Sequence, residues 1–130
     1  MVMVAGKDGM YLDMMNQWMI LKYYGIGLPE VLVGRKIETV VIYGMGIYGR
    51  HLTRELKNSE LRILYGIDGK QMKPFEGVNI VKLQKNMPLP DIVINTVIHE
   101  HGEIEKELCK YYRCEIISLE DLIFQTSESL

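Results

Sequence analysis

Gly44, Gly46 and Gly49 form a GxGxxG arrangement directly after the β-branched run Glu38-Thr39-Val40-Val41-Ile42-Tyr43 and directly before an apolar stripe at helical spacing. Strand, glycine turn, helix is the context in which this motif has a physical task. Gly44 permits the tight turn, Gly46 lets a phosphate group approach the backbone, and Gly49 lets the helix lie close to the strand. Met45, Ile47 and Tyr48 complete the cradle, and the free N–H groups and dipole of the helix N-terminus favour an anion there. Asp68 follows nineteen residues after Gly49, at the end of the next apolar run. A carboxylate in that place accepts hydrogen bonds from ribose hydroxyls and repels a 2′-phosphate, so NAD or another unphosphorylated ribose is preferred over NADP. Lys70 weakens that preference slightly. Asn95 and Thr96, at the end of a later run, are further ligand-facing candidates, and buried strand hydrogen bonding explains them equally well. The competing reading of the glycines is a tight strand-to-helix connection without a ligand, and of Asp68 a solvated strand-end carboxylate.

Other chemistries fit less well. An S-adenosylmethionine site usually wants an acidic residue just before the first glycine, where this chain has Tyr43. The pairs Gly6-Lys7 and Gly69-Lys70 lack the earlier glycine of a P-loop. A short-chain dehydrogenase site needs a lysine four residues after a tyrosine, and none of the eight tyrosines has one. Hydride transfer also needs a substrate-binding region after the cofactor half, so catalysis by the chain alone is not expected. His99-Glu100-His101 falls where open sheets bind ligands, but with no third ligand at helical spacing and no HExxH it reads as a polar loop and the first turn of a helix. Ser118 and Cys109 read as structural.

These groups need a scaffold, and the remaining residues describe one. The 130 residues are 48% hydrophobic and 25% charged, the composition of one ordinary globular domain. Fifteen basic against seventeen acidic residues, a formal net charge of -2, exclude a polybasic nucleic-acid binder. The two cysteines, Cys109 and Cys114, make neither a zinc ribbon nor a disulfide framework, which suits a reducing cytoplasm. No apolar run approaches the ~18 residues of a membrane span, and the Met-rich start is not a signal peptide.

An N-terminal helical extension is expected over 1–36, with an amphipathic helix from Asp8 to Tyr24. Its stripe runs through Leu12, Met15, Trp18/Met19 and Lys22/Tyr23, and its methionines face the domain's own sheet or a second copy of the chain. A possible helical turn starts at Pro29. Strands are expected at 38–43, 62–67, 78–81, 91–97 and 115–118. One helix carries Tyr48, Leu52 and Leu56 inward with Arg50, Thr53, Arg54 and Lys57 outward, and another spans about Gly102 to Tyr112. A helical turn over Leu119 to Phe124 and a frayed polar tail over 125–130 close the chain. The pattern predicts, over 37–124, a single Rossmann-like α/β domain with a mainly parallel five-stranded sheet and helices on both faces. The stretch from Gly69 to Gly77 is short for a crossover helix, so the third strand reads as an edge strand reached by a loop.

Val41-Ile42-Tyr43-Gly44-Met45-Gly46-Ile47-Tyr48-Gly49-Arg50, Gly66-Ile67-Asp68, Phe75-Glu76-Gly77-Val78, Asp91-Ile92-Val93-Ile94 and Ile117-Ser118-Leu119-Glu120-Asp121-Leu122 together resemble the nucleotide-binding Rossmann domains of bacterial polysaccharide biosynthesis. Those domains accompany nucleotide-sugar dehydratases, sugar acetyltransferases or glycosyltransferases, and the likeness covers about residues 37 to 124. It implies binding of NAD or a nucleotide sugar such as a UDP-sugar by the glycine loop and Asp68. The expectation is an accessory nucleotide-binding module of surface-polysaccharide metabolism. The alternatives are a subunit or fragment of an NAD-dependent sugar-nucleotide enzyme or glycosyltransferase, and an interaction domain that forms a homodimer through the N-terminal helix.

Overall fold

The computed structural model describes residues 6–70 and 72–130, so the first five residues of the expected N-terminal extension lie outside the described residues. The elements are α1 (Gly6–Tyr23), α2 (Leu28–Gly34), β1 (Thr39–Tyr43), α3 (Ile47–Leu56), β2 (Arg62–Ile67), β3 (Ile80–Val81), β4 (Ile92–Asn95), α4 (His101–Leu108), β5 (Glu115–Ser118) and α5 (Leu119–Glu128), with a 3-10 turn at Ile98–Glu100. The strands form one parallel sheet in the order β3-β2-β1-β4-β5. Val40, Val41 and Ile42 of β1 and Ile92, Val93 and Ile94 of β4 are fully buried, because the two central strands are covered on both faces.

Coverage of the two faces is unequal. On one face Val40, Ile42, Ile92 and Ile94 pack with Leu52 and Leu56 of α3, Leu122 and Ile123 of α5, and Met14, Trp18 and Leu21 of α1. On the other, Val41, Val93, Tyr65 and Ile67 meet Leu108 at the end of α4 and Tyr112 in the turn that follows it. There the Tyr65 and Tyr112 hydroxyls lie 2.8 Å apart, and Tyr65 also donates to the Pro88 carbonyl. Burial pushes both phenols' pKa values up, so this polar pair stays neutral inside an apolar layer.

Three local expectations change. The buried stripe of α1 is Met14, Trp18 and Leu21, while Leu12 and Met19 are exposed. The helix is apolar on several sides, so more than one stripe satisfies helical spacing, and Tyr11-Met14-Trp18-Leu21 is the one that meets the sheet. Thr53 is buried rather than outward, because its Oγ1 donates to the Gly49 carbonyl at 2.7 Å and leaves only its methyl to pack. The segment 125–130 is largely helical rather than a frayed tail. Ser118 caps α5 by accepting the Asp121 N–H, Thr126 is buried, and the Ser127 hydroxyl accepts from Gln17 Nε2 at 2.8 Å. The third strand is the short edge strand expected, reached through a loop whose Phe75 lies under the guanidinium of Arg54 at 4.9 Å. Among the described residues no helix is long and apolar enough to cross a membrane.

Candidate functional site

β1 delivers the chain to the carboxyl edge of the sheet at Gly44, whose φ of +88° and whose would-be Cβ, 2.6 Å from Thr96 Oγ1, leave room only for glycine. The turn is tied from three sides. Gly44 N–H donates to the Ile67 carbonyl at 2.8 Å, and Met45 N–H donates to Asp68 Oδ2 at 3.0 Å. Thr96 Oγ1 donates to the Gly44 carbonyl at 2.7 Å. Met45 is fully buried, its side chain folded under the turn against Gly66, where a Cβ would come within 2.8 Å of it. Gly49 brings α3 back over the turn so closely that a Cβ would stand 1.9 Å from the Gly44 carbonyl oxygen.

Gly46 differs from its neighbours. It precedes α3 with extended backbone angles, and a Cβ there would meet nothing within 4 Å. The N–H groups of Gly46, Ile47 and Tyr48 have no acceptor among the described residues, as the first turn of a helix requires. Ile47 is exposed and Tyr48 half-buried. Arg50, one turn on, donates through Nε to the Gly46 carbonyl and adds positive charge beside this anion-favouring end.

Asp68 stands at the end of β2, half-buried, facing the turn. Its two oxygens accept from Met45 N–H and, at 3.2 Å, from Lys70 N–H. Each carboxylate oxygen has a second lone pair, so this positioning role and acceptance from a ribose are compatible. Asn95 and Thr96 are buried, and their side chains serve the fold. Asn95 bridges the Val97 backbone and His101 Nδ1, and Thr96 holds the glycine turn. Neither is brought out as a ligand-facing group.

Sequence reasoning missed Tyr11 of α1. Its ring stacks on Tyr48 at a centroid distance of 4.5 Å, its hydroxyl oxygen accepts the Ile98 N–H at 3.1 Å, and His99 Nδ1 lies 2.9 Å away. Burial pushes the phenol's pKa up, against the pull of the backbone N–H groups of Ile98 and His99. The signal was the spacing 11-14-18-21, which puts Tyr11 on the face of α1 that enters the core. His99 Nδ1 meets the Tyr11 hydroxyl and His101 Nδ1 the Asn95 amide, and among the described residues no group of three His, Cys, Asp or Glu side chains forms a metal site.

Comparison of the chain with protein-family models, with curated proteins and with solved structures returns no match.

Proposed function

We propose that this chain is a nucleotide-binding module, in which the glycine turn holds a phosphate group and Asp68 a ribose, the nucleoside diphosphate part that NAD and nucleotide sugars share. The observation that carries the reading is the set of acceptor-free N–H groups at Gly46, Ile47 and Tyr48, beside an open approach over Gly46 and the Asp68 carboxylate. On this reading the chain acts as a binding module, and the reaction it serves is carried out with a partner. The resemblance seen in the sequence favours surface-polysaccharide metabolism as the setting, and the free thiols Cys109 and Cys114 suit a cytoplasmic one.

Calorimetry with ADP tests this. Asp68→Ala removes charge-assisted hydrogen bonds and is expected to cost roughly 1.5–3 kcal/mol, or about one to two decades in affinity. Asp68→Asn keeps an oxygen for Met45 N–H and so preserves the turn. It is expected to lose less affinity and to erase the preference for ADP over a 2′-phosphorylated counterpart. Unchanged affinity in both variants would remove Asp68 from the site.

A second reading, dimerisation through α1, is favoured by one observation: Leu12, Met19 and Tyr23 form an exposed apolar row. Light scattering at high micromolar concentration should then give the mass of two chains, and Met19→Asp the mass of one. A monomer at that concentration would contradict it.

A further inference from the structure

In an open parallel sheet a ligand lies across the carboxyl ends of the strands where the order reverses, here between β1 and β4. The two walls of that crevice are the first turn of α3 and the segment after β4. By the same rule a dinucleotide held by the glycine turn with one ribose on Asp68 would extend its second half toward the segment after β4, where Ile98 lies. Tyr11 stands on that path. It covers Tyr48 with its ring, at an interplanar angle of 12°, and satisfies the Ile98 N–H with its hydroxyl oxygen, where an oxygen of a ligand would otherwise be received.

Tyr11 is not a loose side chain. It is carried by a helix whose Met14, Trp18 and Leu21 are buried in the core and whose Trp18 Nε1 donates to Glu55 of α3 at 3.0 Å. Swinging the ring away would forfeit its stack and leave the Ile98 N–H without a partner, and lifting α1 would open the core.

Resting on the nucleotide-binding reading, we infer that Tyr11 closes the β4 half of the crevice, so that the site takes a nucleoside diphosphate and excludes the second half of a complete dinucleotide. Tyr11 is a specificity-determining residue, and the recognised part of the ligand is base, ribose and phosphates on the Asp68 side.

The test is calorimetry of wild type, Tyr11→Ala and Tyr11→Phe with ADP and with NAD, repeated with UDP and UDP-glucose. Wild type is expected to bind the diphosphate at least about tenfold tighter than its extended counterpart. Tyr11→Ala should bind both to within about twofold of each other while keeping its diphosphate affinity, which also shows that it folds. Tyr11→Phe keeps the ring and should keep the exclusion. Wild type binding NAD as tightly as ADP, or Tyr11→Ala gaining nothing for NAD, would overturn the inference while leaving the nucleotide reading intact. No binding of any of the four ligands by any variant would overturn the nucleotide reading, and the inference with it.

Discussion

Gly49→Ala is expected to destabilise the fold by about 3 kcal/mol or more and to lower the thermal midpoint by roughly 10 °C. The added carbon would stand 1.9 Å from the Gly44 carbonyl oxygen, a backbone atom that no rotamer change can move. Relief requires sliding α3 off the turn, which disturbs the Thr53 hydroxyl bond to the Gly49 carbonyl and the packing of Leu52 and Leu56 on the sheet. Gly46→Ala provides the contrast, because its carbon enters open space at ordinary extended angles. Its stability should stay within about 1 kcal/mol of wild type, the scale of an N-cap change. The same carbon intrudes where a phosphate would approach, and Gly46→Val intrudes further, so the two glycines separate folding from binding. Urea denaturation measures the first effect, and equal stabilities of the Gly49 and Gly46 variants would contradict it.

Glu55→Ala is the second large effect, also about 3 kcal/mol. This carboxylate is nearly buried and accepts from Trp18 Nε1 at 3.0 Å and from the Leu28 N–H at 2.9 Å, with Lys22 closing an ion pair on it. One side chain of α3 thereby fixes α1 and the start of α2. Removing it leaves the Trp18 and Leu28 N–H groups buried without partners, and that orphaning, rather than the loss of Lys22, sets the magnitude. The Lys22 ammonium is half exposed, and its contribution is screened by water. Glu55→Gln retains acceptor capacity and should recover part of the loss. Denaturation followed by emission of the single tryptophan reports it directly. A loss no larger than that of Lys22→Ala would show that the ion pair, and not the hydrogen bonds, holds α1.

Much of this architecture was legible in the residues. The runs Val40-Val41-Ile42 and Ile92-Val93-Ile94 can be satisfied only between two covering layers, and glycine spacing after the first of them fixed where the turn and α3 begin. The brevity of the stretch after Asp68 announced that β3 would be an edge. What could not be read depends on contacts distant in sequence. A helix such as α1, whose apolar residues are spread around its circumference among Lys7, Asp8, Asp13, Asn16, Gln17 and Lys22, offers several stripes, and only the sheet decides that Tyr11, Met14, Trp18 and Leu21 face inward. A hydroxyl such as that of Thr53 or Thr126 counts as polar in the sequence, yet each bonds to a carbonyl one turn back and is buried. Asn95 and Thr96 stand at the carboxyl edge of the sheet, but their side-chain polar atoms are consumed by the turns they stabilise.

If a nucleotide phosphate meets the backbone at the glycine turn, amide-resolved NMR during titration with ADP reads that place directly. The N–H signals of Gly46, Ile47 and Tyr48 are then expected to shift first and furthest, together with those of Met45 and Asp68, whose side chain closes the turn. Shifts concentrated instead around the cavity of about 270 Å3 between α1 and α3, at Trp18, Met19 and His51, would contradict it, as would the absence of any shift at millimolar ADP.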